Sequence, residues 1–110
     1  MNLTLPYPPS ANRYWRVFRG RAVKSQEARG YQLAVQLKNA GTRPLTVPVR
    51  VTLEVHRPAK RGDLDNSIKV LLDALKGIAF VDDSQVCALN VFRHEATPKT
   101  ARVEVTVVAA

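Results

Sequence analysis

The spacing of hydrophobic residues along this chain switches between a period of two and a helical period. Valine and leucine alternate with polar residues over 47–56 and again over 101–108, which predicts two strands with one face in the core. A further strand is predicted at Val86–Glu95, and a short one at 3–5 is kept at a sheet edge or in a loop by the prolines that follow it. Because turn residues separate the last two strands, we expect these to pair as an antiparallel hairpin.

The first helical period along the chain follows Ser25. Ser25 is positioned to cap a helix that ends near residue 40, and Gly41 supplies the residue that follows its C-terminus. The predicted buried side of this helix consists of Tyr31, Ala34, Val35 and Leu37.

A second helix is predicted between Asp65 as N-cap and Gly77 as the residue after its C-terminus. Its apolar stripe has the spacing i, i+3, i+4 and i+7 and consists of Ile68, Leu71, Leu72 and Leu75. Another side of the same helix carries Lys69, Asp73 and Lys76. This helix would be about three turns long, or ~18 Å.

Together these elements predict an α+β fold, in which a small, mostly antiparallel mixed sheet of about four strands packs against two helices. No repeat, flexible linker or low-complexity tract divides the sequence, so we expect a single domain over 1–110. The apolar runs are too short to cross a membrane, and the N-terminus lacks the pattern of a signal peptide. We therefore expect a cytoplasmic protein without a membrane partner.

Charge is distributed unevenly. The chain has a formal net charge of +8, yet residues 63–83 hold five of its nine acids and sum to −3. The basic remainder favours a polyanionic partner such as nucleic acid, which the clustered carboxylates would repel unless a cation lay between them. The alternative is that these acids are turn and cap residues that never meet, in a non-catalytic nucleic-acid-binding protein.

The spacing of the acids allows them to converge. If 78–81 runs extended and antiparallel to the second helix, six steps of ~3.3 Å carry the chain back over the length of that helix. Asp82 and Asp83 would then lie beside Asp63 and Asp65 at the helix N-terminus, with Lys69 one turn away.

Four clustered carboxylates predict a site for a hard divalent cation, Mg²⁺ or Mn²⁺. Such a cation suits hydrolysis of a phosphodiester, because it activates water and neutralises the charge that develops on phosphorus, and Lys69 would add a positive charge there. Gly-x-Gly and Walker-type loops are absent from the sequence, so we expect no nucleotide cofactor. Taken one at a time, Lys69 and the acids have ordinary structural explanations as surface, cap and turn residues.

A basic and aromatic segment without any acid spans 13–24. Guanidinium groups bind phosphates and flat rings stack on bases, so this composition suits a nucleic-acid surface, although the aromatic residues would serve equally as core anchors. The candidate DNA-binding residues are Asn12, Arg13, Tyr14, Trp15, Arg16, Arg19, Arg21, Lys24, Arg61 and Lys76.

Two motifs in this chain together resemble those of a known family. The first is Arg61-Gly62-Asp63-Leu64-Asp65-Asn66, followed by Lys69, Asp73, Ala74-Leu75, Asp82-Asp83 and Val86. The second lies near the N-terminus and is Leu5-Pro6-x-Pro8-Pro9-Ser10-x-Asn12, followed by Tyr14 and Arg16. They resemble the core motif and the N-terminal motif of the RusA family of phage-borne Holliday junction resolvases, and together they span nearly the whole chain in the order of that family.

This resemblance implies a homodimeric, Mg²⁺-dependent endonuclease that nicks opposing strands of four-way DNA junctions. The catalytic carboxylates of the family match Asp63, Asp65, Asp82 and Asp83, and its essential lysine matches Lys69. A homodimer also has a physical reason, because two symmetric cuts require two active sites and one chain carries one acidic cluster. Apart from the resemblance, the sequence does not separate four-way junctions from flaps, forks or structured RNA.

Overall fold

The computed structural model describes residues 1–58 and 65–110, without the side chains of 65 and 66. Its strands are β1 Asn2–Pro6, β2 Trp15–Phe18, β3 Arg21–Lys24, β4 Val49–Arg57, β5 Val86–Glu95 and β6 Arg102–Ala109. The helices in these residues are α1 Ala11–Tyr14, α2 Gln26–Lys38 and α3 Asp65–Leu75, and a single 3₁₀ turn spans Asp83–Gln85. None of these helices has the length and apolarity needed to span a bilayer.

A four-stranded mixed sheet forms the centre of the fold, in the order β1-β6-β4-β5. The β4–β5 pairing is parallel, and the pairings of β6 with β1 and β4 are antiparallel. One face of the sheet packs in the core, as the period of two predicted, with Val51, Leu53, Val103 and Val105 all almost fully buried. The α+β class and the mostly antiparallel sheet are therefore confirmed.

The predicted hairpin between the last two strands is wrong. Both β5 and β6 pair with β4, on opposite sides of it, and β5 lies at the sheet edge. The alternating pattern is the same in parallel and antiparallel strands, so it does not report partners. The strand partners follow from burial instead. β6 contributes three fully or almost fully buried valines and needs a neighbour on each side, whereas β5 contributes no buried residue and lies at the edge.

A two-stranded hairpin that the sequence analysis did not predict is formed by β2 and β3. Its strands are joined by Arg19 and Gly20, which have φ values of 51° and 75°. Positive φ at both central residues defines the type I′ turn, whose twist matches that of the flanking strands. Gly20 was the available sequence signal, since glycine adopts such angles without steric cost.

The prediction for α2 is right about its start and partly wrong about its buried side. Ser25 caps the helix, its hydroxyl accepting a hydrogen bond from the backbone N–H of Ala28 at 3.1 Å. Tyr31 and Val35 are buried as expected, but Ala34 is exposed and Leu37 is 71% exposed. Leu37 follows Val35 by two residues, about 200° around the helix, so the two side chains point to opposite sides.

The predicted helix α3 is present and contacts α1 and α2, but its buried side differs in part from the predicted stripe. Leu71 and Leu75 are fully buried as expected, whereas Ile68 and Leu72 are only half-buried and Val70 and Ala74 lie in the core. Gly77 has a φ of 80°, as expected for the residue after a helix C-terminus. The helix begins at Asp65, but the side chain of Asp65 lies outside the described residues, so its capping role stays a prediction.

Two core tyrosines make the fold sensitive to alkaline pH. Burial raises the pKa of Tyr31, whose hydroxyl donates to Pro6 O at 2.7 Å, and burial and the neighbouring Asp73 raise the pKa of Tyr14. Because the folded-state pKa is raised, the stability contribution is complete below about pH 10, the unfolded value, and is lost as the pH rises further.

We therefore expect the free energy of unfolding to fall as the pH rises above about 10, because the unfolded chain releases phenolic protons that the folded chain retains. Urea denaturation at several pH values measures it. Tyr31→Phe should reduce the slope of stability against pH. An unchanged slope in this variant would contradict the assignment of Tyr31.

Candidate active site

Asp82 and Asp83 lie at the end of the chain segment that follows α3, where both contact one lysine. Lys76 Nζ is 3.9 Å from Asp82 Oδ1 and 3.7 Å from Asp83 Oδ2. All three side chains are between a third and just over half exposed, so these ion pairs contribute little stability. Lys76, a candidate DNA contact by sequence, is thus also the partner of the acidic pair.

Asp82 is held as an ionised carboxylate by its local geometry. Hydrogen bonds from the side chain and the backbone N–H of Ser84 lower the pKa of Asp82, and the charge of Lys76 lowers it further. The backbone N–H of Ser84 lies 3.1 Å from Asp82 Oδ2. An ionised, exposed carboxylate presents the hard oxygen atoms that Mg²⁺ and Mn²⁺ prefer.

Gln85 anchors the segment that carries the two aspartates. Its Oε1 accepts hydrogen bonds from the backbone N–H groups of Val81 and Asp82, each at 2.9 Å. Its Nε2 donates to the backbone oxygens of Leu45 and Val47, each at 2.8 Å. Gln85 was not among the predicted site residues, although Asp82 followed three positions later by Gln85 has the spacing of a capping box.

Replacing Gln85 with leucine should slow the DNA cleavage that the family resemblance implies about 10- to 100-fold, because the two aspartates assigned to the site would lose the anchor that fixes their position. The loss should appear in kcat with KM nearly unchanged. Gln36→Leu, a change at an exposed glutamine of α2, is the matched control and should be neutral. Equal losses in both variants would show that Gln85 has no positioning role.

The predicted path back along the helix is wrong. Residues 77–79 form a tight turn instead of an extended run: the N–H groups of Ile78 and Ala79 donate to Leu75 O at 3.1 and 2.9 Å, and Gly77 N–H donates to Phe80 O at 2.7 Å. Apolar burial explains this, because the turn puts Phe80 fully into the core. Asp82 and Asp83 consequently lie beside Lys76, which is the first residue after the end of α3.

A groove of about 290 Å³ runs along one side of α3 next to this acidic pair. Lys69, Leu72 and Asp73 of α3 and the following Lys76 have the spacing i, i+3, i+4 and i+7, which places them on one side of the helix axis. The groove is lined by Trp15, Lys69, Leu72, Asp73, Lys76 and Asp83. Lys69 and Asp83, both predicted site residues, therefore line one groove.

Asp73 at the floor of this groove joins three elements to α3. Its Oδ2 accepts from the Tyr14 hydroxyl at 2.5 Å and from Gln32 Nε2 at 2.9 Å, and it lies 3.1 Å from Lys24 Nζ. The carboxylate is only 13% exposed. Because these partners come from α1, β3 and α2, Asp73 fixes the base of the β2–β3 hairpin against the helices.

Tyr14 does not present a DNA-binding surface in this structure. Its side chain is fully buried, so the alternative interpretation, a core anchor, applies to it. Trp15 packs edge-on against Tyr14 with ring centroids 5.1 Å apart, and it keeps a partly exposed face in the groove. A tyrosine combines an apolar ring with a polar hydroxyl, so the residue type alone does not predict whether the side chain is buried or exposed.

The basic candidate residues fall into two groups. Three of them contact carboxylates: Arg13 lies 3.8 Å from Glu27, Lys24 lies 3.1 Å from Asp73, and Lys76 contacts Asp82 and Asp83. Arg16, Arg19 and Arg21 are exposed and form no ion pair with a described carboxylate, and the neutral candidate Asn12 is exposed as well. Arg61 lies outside the described residues.

The convergence of the four aspartates stays a prediction. Asp63 and the side chain of Asp65 lie outside the described residues. Within the described part of the chain, no three His, Cys, Asp or Glu side chains are grouped to hold a metal ion. The described half of the predicted donor set, Asp82 and Asp83, is exposed and acidic, and its chemistry fits a hard divalent cation.

Comparison with known proteins extends the resemblance found in the sequence. The family model described as Endodeoxyribonuclease RusA matches residues 6–108. The chain is 41% identical to Crossover junction endodeoxyribonuclease RusA of Escherichia coli strain K12 and of Shigella sonnei, and 40% identical to that of Enterobacteria phage 82. Each comparison covers 96% of this chain and 92% of the relative. The chain therefore belongs to the RusA family of endodeoxyribonucleases.

Proposed function

We propose that this chain is a divalent-metal-dependent endodeoxyribonuclease that resolves four-way DNA junctions by paired symmetric nicks as a homodimer. Relatives that carry the name crossover junction endodeoxyribonuclease align with nearly the whole chain, which supports a branched DNA substrate. The observation that carries the proposal is the groove on α3, because Lys69 and Asp83 were assigned to one site from sequence and both line it.

Asp63, Asp65, Asp82 and Asp83 are the proposed ligands of Mg²⁺ or Mn²⁺. Family membership favours a divalent metal, and the identity of the ion rests on the preference of hard cations for oxygen ligands. When bound, the cation would supply an activated water and would neutralise charge on the phosphate. The exposed carboxylates at 82 and 83 support this assignment, as does the lowered pKa of Asp82, which follows from its hydrogen bonds with Ser84.

Two lysines on the same side of α3 have separate proposed roles. Lys69 is exposed and lines the groove, where its ammonium group would stabilise negative charge on the phosphate undergoing attack. Lys76 keeps Asp82 and Asp83 together while they lack a cation, because it lies within 4 Å of both carboxylates. Lys69 is therefore proposed to act on the DNA, and Lys76 to act at the acidic pair.

The DNA surface is proposed to extend from the groove along the β2–β3 hairpin. Arg16, Arg19 and Arg21 are exposed on it, and the segment 13–24 carries no acid. Each arginine that neutralises one phosphate contributes about 0.9 to the slope of log K against log salt concentration.

Single replacements of Arg16, Arg19 or Arg21 with alanine should weaken junction binding and lower the salt slope by about 0.9 each. Fluorescence anisotropy across a range of salt concentrations measures the slope. Arg50→Ala, at an exposed position on β4, is the control and should leave it unchanged. If the hairpin variants keep the wild-type slope, the DNA binds elsewhere.

The proposed function is tested with a synthetic immobile four-way junction incubated with and without Mg²⁺. We expect cuts at symmetric positions in two opposing strands, and loss of cutting but retention of binding in EDTA. Binding that never leads to cutting would support the alternative, a non-catalytic nucleic-acid-binding protein. Cutting of flaps, forks or RNA in preference to the junction would replace the substrate but keep the nuclease.

A further inference from the structure

The two faces of the β2–β3 hairpin have different environments. Successive side chains of a strand point to opposite faces, and directly paired residues share a face. Trp15 and Lys24 are directly paired and lie on the face toward α3. There the Lys24 side chain contacts Asp73, and Trp15 lines the groove. Phe18 and Arg21 are paired on the other face, and both are exposed.

Phe18 is a large apolar side chain left 61% exposed at the tip of this hairpin. It immediately precedes the turn of Arg19 and Gly20, whose positive φ angles fix the direction of the strand end. Phe18 is paired with Arg21 across the hairpin, which fixes the position of its backbone. An aromatic ring held in this way is available to stack on a partner.

The surroundings of the ring identify the chemistry of that partner. Arg19 Cζ lies 5.3 Å from the centroid of the Phe18 ring, and Arg16 and Arg21 share its face of the hairpin. None of these three arginines forms an ion pair with a carboxylate in the described ranges 1–58 and 65–110. The Arg19 guanidinium lies over one face of the ring, and the side chain as a whole is still 61% exposed. An exposed ring with arginines on the same face of the hairpin complements a base flanked by phosphates, which is the pattern of single-stranded nucleic-acid binding.

We propose that Phe18 stacks on a base exposed at the branch point of the DNA and so determines the preference for branched over duplex DNA. The inference rests on the proposed function and adds a specificity-determining residue to it. In a continuous duplex both faces of each base are covered by neighbours, so the ring finds no partner. At a branch point the stack is interrupted, and a base face becomes available within reach of the same arginines.

The test compares binding of a four-way junction and of a duplex of equal length, in EDTA so that neither is cut. Phe18→Ala should lower the ratio of junction to duplex affinity about tenfold, the effect of losing one stacked base, and leave duplex affinity nearly unchanged. Phe18→Trp should retain the ratio, because it keeps a flat ring. A 2-aminopurine at the branch point should change fluorescence on binding wild type but not Phe18→Ala.

Two control variants isolate the role of the ring. Val17→Ala removes an apolar side chain that is 82% exposed on the opposite face of the same hairpin, and Phe92→Ala removes an aromatic ring that is 53% exposed on β5. Both should keep the wild-type ratio. A Phe18→Ala variant that keeps the ratio, or that loses junction and duplex binding by the same factor, would overturn the inference.

The outcome for wild type separates this inference from the proposed function. If wild type cuts junctions in Mg²⁺ and Phe18→Ala retains full junction preference, the inference is wrong and the function stands. If wild type neither cuts nor prefers junctions, the proposed function is wrong and the inference falls with it.

Discussion

Asp83→Asn is expected to reduce junction cleavage by roughly 100-fold or more while junction binding is retained or becomes tighter. The substitution keeps the size of the side chain and removes one negative charge from the groove that Asp83 shares with Lys69. A neutral amide is a poor ligand for a hard cation, and loss of a carboxylate relieves its repulsion of the DNA phosphates. Cleavage is measured by single-turnover assays with labelled junction, and binding is measured in EDTA.

The matched control is Glu54→Gln, the same carboxylate-to-amide change on the outer face of the sheet. Glu54 is 44% exposed and contacts His94 at 3.3 Å. We expect wild-type cleavage from this variant. A cleavage rate for Asp83→Asn within a few-fold of wild type, or an equal loss in both variants, would remove Asp83 from the catalytic site.

Asp63→Asn is expected to behave in the same way as Asp83→Asn. Its place in the site rests on the sequence motif alone, because Asp63 lies outside the described residues. Matching defects at positions 63 and 83 would support a shared cation, and a titration of Mn²⁺ against each variant would show whether both weaken metal binding.

Asp73→Ala is expected to lower the free energy of unfolding by about 2–4 kcal/mol. The substitution removes the acceptor of the fully buried Tyr14 hydroxyl and the partner of the two-thirds-buried Lys24 ammonium group. Their desolvation would no longer be offset by hydrogen bonds, and a small cavity would remain at the floor of the groove. Urea denaturation followed by circular dichroism measures the change.

Glu27→Ala serves as the comparison, since this half-exposed carboxylate on α2 has, among the described residues, only the ion pair with Arg13 at 3.8 Å. Its expected effect is below about 1 kcal/mol, the ordinary contribution of a surface ion pair. Tyr14→Phe, combined with Asp73→Ala, should cost less than the sum of the two single variants because both remove the same hydrogen bond. Full additivity would mean that the bond contributes nothing to stability.

Local patterns were enough to predict most elements of this fold. The alternation around Val51 and Val105, the capping serine at 25 and the glycine at 77 each act through neighbours in sequence, and the structure confirms all of them. The β2–β3 hairpin was not predicted because its short strands are basic and aromatic and lack a regular alternation of apolar and polar residues. Gly20 at the turn was the remaining local signal.

The candidate site was only partly within reach of the sequence. The motif identified Lys69 and Asp83 as site residues, and they line one groove. It gave no indication that Lys76 lies against Asp82 and Asp83, or that Gln85 anchors their segment, because these contacts depend on the tight turn that buries Phe80. The buried position of Tyr14 likewise follows from its partner Asp73, 59 residues away.

For this protein, the sequence by itself determined the fold class and the RusA family, since periodicity and motif residues are properties of short segments. Only the tertiary structure decided that β5 and β6 lie on opposite sides of β4, that Tyr14 is a core residue and that Phe18 stands exposed at a hairpin tip. The physical reason is that strand partners and burial are decided by contacts between distant segments. The same local pattern is compatible with several such arrangements, and the packing of the whole core selects one.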